Sequence, residues 1–358
     1  MIKKFYILFA AALIFVFLKD VPAQNDSINS LLKNFEISAG IDFYYAYDTD
    51  YDIIERQFSA VSPYRDEFRI NLAQFSLAYN SDIIRGKIAV HYGDIPKYNW
   101  ETEIPNLQEA NIGFSPADGL WIDAGYFLTH IGAESFPSEN FFSTLSLPSY
   151  YQPFYQSGIK IGYDFSEKFS ASLFLLNGYD VIEDNNKNKS CGMQLSYSPA
   201  EQLQIVYNNI IGNENPAGMT GQTRMLNNLI FYFNPCRRLE TILGLDFGLR
   251  ENTGIENSEK TAYSYGAMFS ARYKMHPKFS AGVRGEFYQD LNGIYSDIII
   301  DGKGMKGNGI TFEVEYNPVE NSYIRLETRY LRLDKDYLNI FYSGNDRGEI
   351  ILSAGIKY

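Results

Sequence analysis

The chain has 358 residues, and its 43 acidic residues outnumber its 31 basic ones, which gives a formal net charge of −12 at pH 7. This balance argues against a nucleic-acid-binding protein, which would carry a basic stripe or patch. Aromatic residues make up 16% of the chain, with 29 Tyr and 26 Phe against 2 Trp and 2 Cys. That content is typical of interfacial aromatic girdles rather than of an ordinary core.

The N-terminus has the parts of a secretory signal peptide. Lys3 and Lys4 are basic, the run Phe5–Leu18 is apolar, and Ala23 supplies the small residue that signal peptidase requires before its cut. We expect the mature chain to begin near Gln24. The rest of the sequence contains no uninterrupted apolar run of the roughly 18 residues that a membrane helix needs.

About sixteen runs of alternating apolar and polar residues follow, most near the roughly 9–11 residues with which a strand spans a bilayer. An even number of strands suits a single-chain barrel. The slip in the pattern at Leu72 and Ala73 predicts a β-bulge in the second run. The predicted runs are Glu36–Tyr47, Phe68–Tyr79, Ile83–Tyr92, Leu107–Phe114, Leu120–His130, Gly158–Phe165, Phe169–Asn177, Gly192–Tyr197, Leu203–Ile211, Met225–Phe233, Leu239–Arg250, Ala262–Lys274, Phe279–Tyr288, Gly309–Tyr316, Tyr323–Arg332 and Arg347–Tyr358.

The alternation separates charged from apolar side chains. In the fourteenth run, Ile310, Phe312 and Val314 share one face, and Glu313 and Glu315 share the other. A soluble β-sandwich would turn the apolar face inward, whereas a barrel in lipid turns it outward and leaves the charged face on a wet lumen. Alternation alone does not distinguish the two.

The gaps between the runs do distinguish them, because short and long gaps alternate along the chain. Short turns on one edge and long polar loops on the other are typical of a transmembrane barrel. We therefore predict an all-β fold, a transmembrane antiparallel β-barrel of about 16 strands with short periplasmic turns and long extracellular loops. The expected parts are a cleaved signal peptide, a short periplasmic segment and the outer-membrane barrel, over residues 1–23, 24–35 and 36–358. Four short gaps begin with an aromatic residue, then Ser or Asn, then Pro, at Phe114-Ser115-Pro116, Tyr197-Ser198-Pro199, Phe233-Asn234-Pro235 and Tyr316-Asn317-Pro318.

The lumen face carries charges of both signs. Folding the fourteenth and fifteenth runs about Val319 sets Glu313 opposite Arg325, an opposite-charge pair across two strands. The charges indicate either a polarised pore wall that orients polar solutes or a rigid, hydrated wall, and the sequence leaves both open. The predicted pore-lining residues are Arg85, Lys87, His91, Asp123, Lys160, Asp246, Arg272, Arg284, Glu286, Glu313, Glu315, Arg325, Glu327 and Arg329.

The gap Gly132–Ser157 is long, aromatic and rich in Pro. A flexible surface loop would not be this apolar, so we expect it to fold into the lumen and narrow the pore. Packing over the barrel mouth and a surface partner site are the alternatives. The predicted constriction residues are Glu134, Phe136, Glu139, Phe141, Phe142, Tyr150 and Tyr151.

The same region resembles a known family. Tyr126–Glu134, Gln152–Gly158 and Phe174–Asp180 read YFLTHIGAE, QPFYQSG and FLLNGYD, and these segments are similar to the outer-membrane β-barrel porin-2 group, the OmpL-like porins. The resemblance lies mainly within residues 120–212. It implies an outer-membrane diffusion channel without a cofactor and without catalytic residues. We expect outer-membrane lipid and small polar solutes as its partners, and the question of a homo-oligomer stays open.

Two other functions are weighed against the porin. One is a surface binding or adhesion barrel with a closed lumen. The other is a barrel enzyme, for which His130 and Glu134 could form a base–carboxylate pair or part of a metal site. We expect these two residues instead to anchor the inward loop, and we assign no catalytic, metal-binding or cofactor-binding residue.

Two further groups have simpler interpretations. Asp48, Asp50 and Asp52 are expected to form a solvated acidic rim, since their loop lacks the Gly and distal Glu of a calcium loop. Cys191 and Cys236 are expected at opposite membrane faces, too far apart for a disulfide.

Overall fold

Strands and short helices account for most of the chain that the computed structural model describes. The signal peptide expected at residues 1–23 lies outside the described residues, as does most of the segment 24–35. The described residues are 33–50, 54–184, 188–215, 222–255, 259–299, 302, 304–334 and 344–358.

Sixteen strands occupy the described residues, and each overlaps one of the sixteen runs predicted from the alternation. Two short helices lie in long loops, α1 (Asp94–Asn99) and α2 (Leu147–Tyr150). The strands are β1 (Phe35–Asp48), β2 (Arg69–Asn80), β3 (Ile84–Tyr92), β4 (Leu107–Ala117), β5 (Leu120–Leu128), β6 (Tyr155–Ser166), β7 (Phe169–Leu176), β8 (Ser190–Ala200), β9 (Leu203–Asn213), β10 (Thr223–Cys236), β11 (Leu239–Arg250), β12 (Ala262–His276), β13 (Phe279–Asp290), β14 (Met305–Tyr316), β15 (Ser322–Leu333) and β16 (Asp346–Lys357).

The strands close into an antiparallel barrel. Each strand pairs with its neighbours in sequence, and β16 pairs with β1. The closing register runs from Gly40 opposite Lys357 to Asp48 opposite Glu349. A closed barrel leaves no strand edge unpaired, which a lipid environment requires. The predicted fold is therefore confirmed.

The aromatic-Ser/Asn-Pro motifs have a structural cause. At each of the four motifs the backbone N–H of the Ser or Asn donates to a carbonyl in the short turn that precedes it along the chain. The distance is 2.8 Å for Ser115, Ser198 and Asn234 and 2.9 Å for Asn317. The Pro that follows has no N–H and cannot continue the ladder toward the next strand. In three motifs the register toward the next strand shifts at this point. The motif thus ends pairing on one side while it continues on the other.

The two faces of the wall are the inverse of those in a soluble protein. Ile310, Phe312 and Val314 are 43%, 53% and 49% exposed, whereas Glu313 and Glu315 between and beside them are buried. A sheet with its carboxylates inside and its large apolar side chains outside is stable only when lipid covers the outer surface. This decides between the barrel and the sandwich.

The prediction for the β14–β15 hairpin is wrong in register. Glu313 lies opposite Glu327, and Arg325 lies opposite Glu315. The centre of the turn falls one residue later than predicted, and Asn321 adopts a left-handed conformation there, with φ 59°, which an Asn tolerates. Opposite charges still meet, because Arg325 Nε lies 2.6 Å from Glu315 and 3.6 Å from Glu313.

Three smaller features complete the fold. β2 pairs with β3 from Ala73 to Asn80 without a register shift, while consecutive Asn71 and Leu72 are both buried, so the alternation breaks near the predicted position. Cys191 and Cys236 are free and lie at opposite ends of their strands. None of the helices among the described residues has the length and apolar character of a membrane span.

Candidate functional site

The segment Gly132–Ser157 lies inside the barrel along its inner wall as far as Phe154, and its last three residues already belong to β6. Near the short turns, Lys357 donates to Glu139 at 2.6 Å. Near the long loops, the Tyr151 ring stacks on Tyr288 of β13, with centroids 4.7 Å apart. The segment therefore descends through the lumen and rises again before it enters β6.

Two buried carboxylates hold the rising part of the segment. Glu327 of β15 accepts from the Ser143 amide at 2.7 Å and from the Thr144 hydroxyl at 2.5 Å. Glu313 of β14 also accepts from the Ser143 amide, at 3.0 Å. Carboxylates that accept backbone N–H groups form the stronger class of hydrogen bond.

Arg284 of β13 joins two parts of the segment. Its guanidinium lies 2.8 Å from Glu134 and donates to the Thr144 carbonyl at 2.6 Å. Glu134 also accepts from the Ser146 amide at 2.8 Å. Arg284 and the Glu134 carboxylate are both buried, so each charge depends on the other for compensation.

Glu286 anchors the segment after Thr144, and Arg325 anchors it before Ser143. The Leu147 amide, at the start of α2, donates to Glu286 at 2.5 Å, and Arg329 donates to the same carboxylate at 2.8 Å. Arg325 donates to the Pro137 carbonyl at 2.6 Å. Strands β13, β14 and β15 thus each contribute a charged side chain to the attachment.

The ion-pair network continues toward the barrel seam. Glu349 of β16 lies 2.7 Å from Arg347 and 3.9 Å from Arg329, and it contacts Arg56. Arg56 in turn lies 3.3 Å from Asp48. All of these side chains are buried, so the network joins the first long loop to the wall.

The acidic rim expected at Asp48, Asp50 and Asp52 is therefore wrong for the two residues that are described. Asp48 and Asp50 are buried, and Asp48 also pairs with Arg65 at 3.1 Å. Asp52 lies outside the described residues. Spacing along the chain gave no indication that the arginines of the same loop would fold back onto these carboxylates.

A second charged group lies on strands β3 to β6, across the barrel from the first. Arg85 donates to Asp123 at 2.6 Å, and Lys160 sits opposite Asp123 in the β5–β6 register. Lys87 lies 2.5 Å from Glu109. The Arg85 and Lys87 side chains are partly accessible, in contrast to the buried group on β13 to β16.

The aromatic residues of the segment pack rather than point into open space. Phe136 stacks against Trp100, with centroids 6.2 Å apart. Phe142 is buried under the Arg284 guanidinium at 4.9 Å. Phe141 packs at the edge of a buried apolar cluster on β9 to β12.

The histidines form no catalytic constellation with their neighbours. The His130 ring stacks on Phe174 at 4.0 Å, and its Nε2 bonds the Asn209 carbonyl at 2.9 Å. Burial lowers the pKa of His130 to about 4, which keeps it neutral at pH 7. Glu134 pairs instead with Arg284, and His91 is buried against Trp100, with centroids 4.5 Å apart. Within the described ranges, no three His, Cys, Asp or Glu side chains come together as metal ligands.

Two cavities flank the point where the segment leaves the lumen. The inner cavity, of about 220 Å³, is bordered by Glu134 and by Tyr232 of β10, and the outer cavity, of about 450 Å³, lies among the long loops. Gln152 and Phe154 line both. We call these two residues the partition and the outer cavity the vestibule.

The partition is fixed by two carboxylates. The side-chain amide of Gln152 donates to Asp246 at 2.7 Å, and the backbone N–H of Phe154 donates to Asp180 at 2.8 Å. Burial raises the pKa of Asp180 to about 7. The charge on this side of the partition therefore changes within the physiological pH range.

The residues predicted from the sequence fall into three sets. Eight meet around the inserted segment and four lie on the opposite wall. Of the remaining two, His91 contacts Trp100 and Asp246 contacts the partition. The first set is Arg272, Arg284, Glu286, Glu313, Glu315, Arg325, Glu327 and Arg329, and the second is Arg85, Lys87, Asp123 and Lys160.

Several residues of the site were not predicted. Arg347 and Glu349 lie on the charged face of the last run, so the alternation could have identified them. Arg56, Gln152 and Thr144 lie in long loops, where the sequence carries no periodic signal for their position.

The fold agrees with known outer-membrane channels. The outer membrane channel DcaP of Acinetobacter baumannii superposes with a TM-score of 0.63 at 10% identity, over 90% of this chain and 97% of that one. An anion-selective porin from Comamonas acidovorans gives 0.63 at 10% identity, over 90% and 99%. OmpT of Vibrio cholerae, in a structure described as a trimer form, gives 0.59 at 11% identity, over 90% and 99%. No curated protein matches the sequence.

The sequence itself matches a family over nearly the whole described chain. Residues 34–358 match the family described as Putative beta-barrel porin-2, OmpL-like. The family match points to a channel rather than an enzyme, and it places the protein in the outer membrane. The chain thus belongs to the OmpL-like porin-2 family of outer-membrane β-barrel diffusion channels.

Proposed function

We propose that this porin passes small polar solutes passively and that the segment Gly132–Ser157 narrows its lumen. The observation that carries the proposal is the attachment of Ser143 and Thr144 to the buried carboxylates of Glu313 and Glu327. Releasing the segment would leave those carboxylates without their donors, at a cost of roughly 1.5–3 kcal/mol for each charged hydrogen bond. The segment should therefore stay in the lumen while the channel conducts.

The route for solutes would pass the partition and then the partly accessible wall of β3 to β6. Arg85 and Lys87 on that wall carry donors, and Asp123 and Glu109 carry acceptors. Such a surface offers hydrogen bonds to any polar solute and repels apolar ones. The net charge of −12 adds a weak preference for cations or neutral solutes.

Single-channel recording tests the proposal. The mature protein, refolded and inserted into a planar bilayer, should give steady ohmic steps. A variant that lacks Glu139–Ser146 should give larger steps, because it loses the part of the segment that reaches deepest and bonds the wall. Deletion of Thr253–Lys260, a loop of equal length between β11 and β12, is the control and should leave the step size unchanged.

The outcomes separate the possible functions. A silent wild type with a conducting Glu139–Ser146 deletion would indicate a plugged barrel. Silence of both forms, with correct folding, would contradict the porin and favour the surface binding barrel. Anion selectivity in reversal-potential measurements would remove the proposed preference for cations or neutral solutes.

We also propose that the barrel assembles into a homo-oligomer in the membrane. The support is the likeness of the fold to the Vibrio cholerae structure described as a trimer form. Chemical crosslinking of outer membranes should give a ladder that ends at the oligomer, and monomer alone would contradict it.

We further propose that residues 1–23 are removed on export, which leaves a short periplasmic segment 24–35 and the barrel 36–358. N-terminal sequencing of the protein from the same membranes should give Gln24 as the first residue.

A further inference from the structure

The vestibule is built from four separate long loops that converge on one cavity. Its volume of about 450 Å³ falls within the roughly 300–1,000 Å³ of small-molecule sites. Five tyrosines line it, and they come from the loops after β3, β5, β7 and β13. They are Tyr98, Tyr150, Tyr151, Tyr179 and Tyr295.

The rings are held in place before any solute arrives. Tyr151 is stacked on Tyr288, and the Tyr179 hydroxyl donates to the Tyr151 carbonyl at 2.8 Å. The hydroxyls of Tyr98 and Tyr150 lie 3.3 Å apart. A site whose side chains are already ordered loses little conformational entropy when it binds.

The vestibule also carries hydrogen-bonding groups that the protein does not use internally. The Arg224 guanidinium lies over the rings of Tyr179, at 4.1 Å, and Tyr295, at 5.2 Å, and it donates to no described side chain or carbonyl. The Tyr295 hydroxyl is buried and has no hydrogen-bond partner among the described residues. A buried polar group without a partner costs free energy unless a ligand or water satisfies it.

The charges in the vestibule are few and of both signs. Arg224 is its one cation among the described lining residues, and Asp180 and Asp297 are its carboxylates. A site for anions would cluster several cations. A site for organic cations would leave its aromatic faces free, whereas here the Arg224 guanidinium already covers two of them.

We propose that the vestibule binds a neutral carbohydrate of one or two rings on its way to the partition. This inference rests on the proposed diffusion function and names its substrate class. The C–H faces of a sugar ring pack on tyrosine rings, while its hydroxyls both donate and accept hydrogen bonds. The lining supplies donors on Arg224 and Tyr295 and acceptors on Asp180 and Asp297.

Binding is measured first, apart from conduction. Maltose is titrated calorimetrically into the refolded protein in lauryldimethylamine oxide, a detergent without a sugar headgroup. Wild type should give saturable heat, and Tyr295→Leu and Arg224→Gln should each weaken binding about tenfold. Tyr263→Leu, which removes an exposed outer-wall tyrosine at the same rim, is the matched control and should bind as wild type does. Tyr295→Phe keeps the ring and tests the hydroxyl alone if the larger changes impair folding.

Each outcome of the binding measurements either supports or overturns the carbohydrate site. The absence of maltose binding, or equal binding by wild type, Tyr295→Phe and Arg224→Gln, would overturn the carbohydrate site. Binding of choline but not of maltose would also overturn it and would indicate an organic cation. Bilayer recordings are read separately: an ohmic channel without maltose binding refutes only this inference, whereas maltose binding to a silent barrel refutes the diffusion function and leaves the site.

Discussion

The Thr144 hydroxyl donates to the Glu327 carboxylate at 2.5 Å, which joins the inserted loop to β15. Their positions are 183 residues apart in the chain. Glu327 also receives the Ser143 amide, so one buried carboxylate fixes the backbone of the segment as well as a side chain. Glu327 is therefore one of the residues that set the position of the segment.

Replacement of Glu327 tests that dependence. The Ser143 N–H and the Thr144 hydroxyl both donate to Glu327. In Glu327→Gln one carboxylate oxygen becomes an NH₂ group, which donates and cannot accept, so at least one of these hydrogen bonds should be lost. We expect a loss of about 1–3 kcal/mol in the attachment of the segment and larger, noisier conductance steps in planar bilayers. Glu320→Gln, in an exposed turn, is the control. Steps of unchanged size and noise in Glu327→Gln would show that Glu327 does not hold the segment.

Removal of the Arg284 charge should destabilise the whole barrel. Arg284→Met leaves Glu134 and Glu286 buried with one fewer cation, a change that costs roughly 3–5 kcal/mol when a buried pair is broken. Urea unfolding, followed by the heat-modifiable migration of the folded barrel on gels, measures the loss.

A double variant shows whether the loss comes from the ion pair. In Arg284→Met with Glu134→Gln the uncompensated charge at Glu134 is gone, so the double variant should be less destabilised than the sum of the two single changes. Additive losses would mean that Arg284 acts through its packing on Phe142 instead.

The charge of Asp180 should make conduction depend on pH. Burial raises its pKa to about 7, with Glu101 adding to the effect and Arg224 opposing it. Because the folded-state pKa lies above the ordinary value, the fold favours the protonated form, and this contribution to stability is lost as the pH rises from about 4 to about 7. Above that range Asp180 adds a negative charge to the vestibule, beside Asp297.

Reversal potentials at pH 5.5 and pH 8.5 check this prediction. Cation selectivity should increase at the higher pH in wild type, and Asp180→Asn should lose most of the increase. Asp82→Asn, in an exposed short turn at the other rim, should behave as wild type. An increase of the same size in Asp180→Asn would assign the pH dependence to other groups.

Cys236 offers a test of orientation. It lies beside the short turn after β10, which the barrel architecture places in the periplasm. A polyethylene-glycol maleimide too large for the pore should label Cys236 only after the outer membrane is permeabilised. Thr253→Cys in a background with Cys191→Ser and Cys236→Ser should be labelled in intact cells. The reverse pattern would invert the proposed sidedness.

The sequence predicted the strands because their signal is local. The period-two pattern of the fourteenth run, for example, predicted its charged face and its end at Tyr316, although β14 begins at Met305, four residues before the predicted Gly309. The register between strands depends on turn geometry, which the pattern does not contain. With Asn321 in a left-handed conformation in the turn, the residue opposite Glu313 is Glu327 and not the predicted Arg325.

The site was only partly predictable for a related reason. The charged wall follows from alternation, but the residues that meet it come from loops whose paths depend on contacts distant in sequence. Arg56 reaches Glu349 across 293 positions, and nothing near Arg56 in the chain indicates its partner. The aromatic content of Gly132–Ser157 did indicate burial, although not which carboxylates would hold it.

The closing seam has a consequence for biogenesis. Ala39 and Tyr358 exchange hydrogen bonds of 3.0 and 2.7 Å, and β1 finds its second partner only when β16 arrives. Until then β1 presents an unpaired edge, the kind of surface on which chains aggregate. Contacts between the two ends of a chain also form slowly. Export of this protein must therefore keep the nascent sheet from other chains until β16 is delivered, and a chain truncated before β16 would never complete that step.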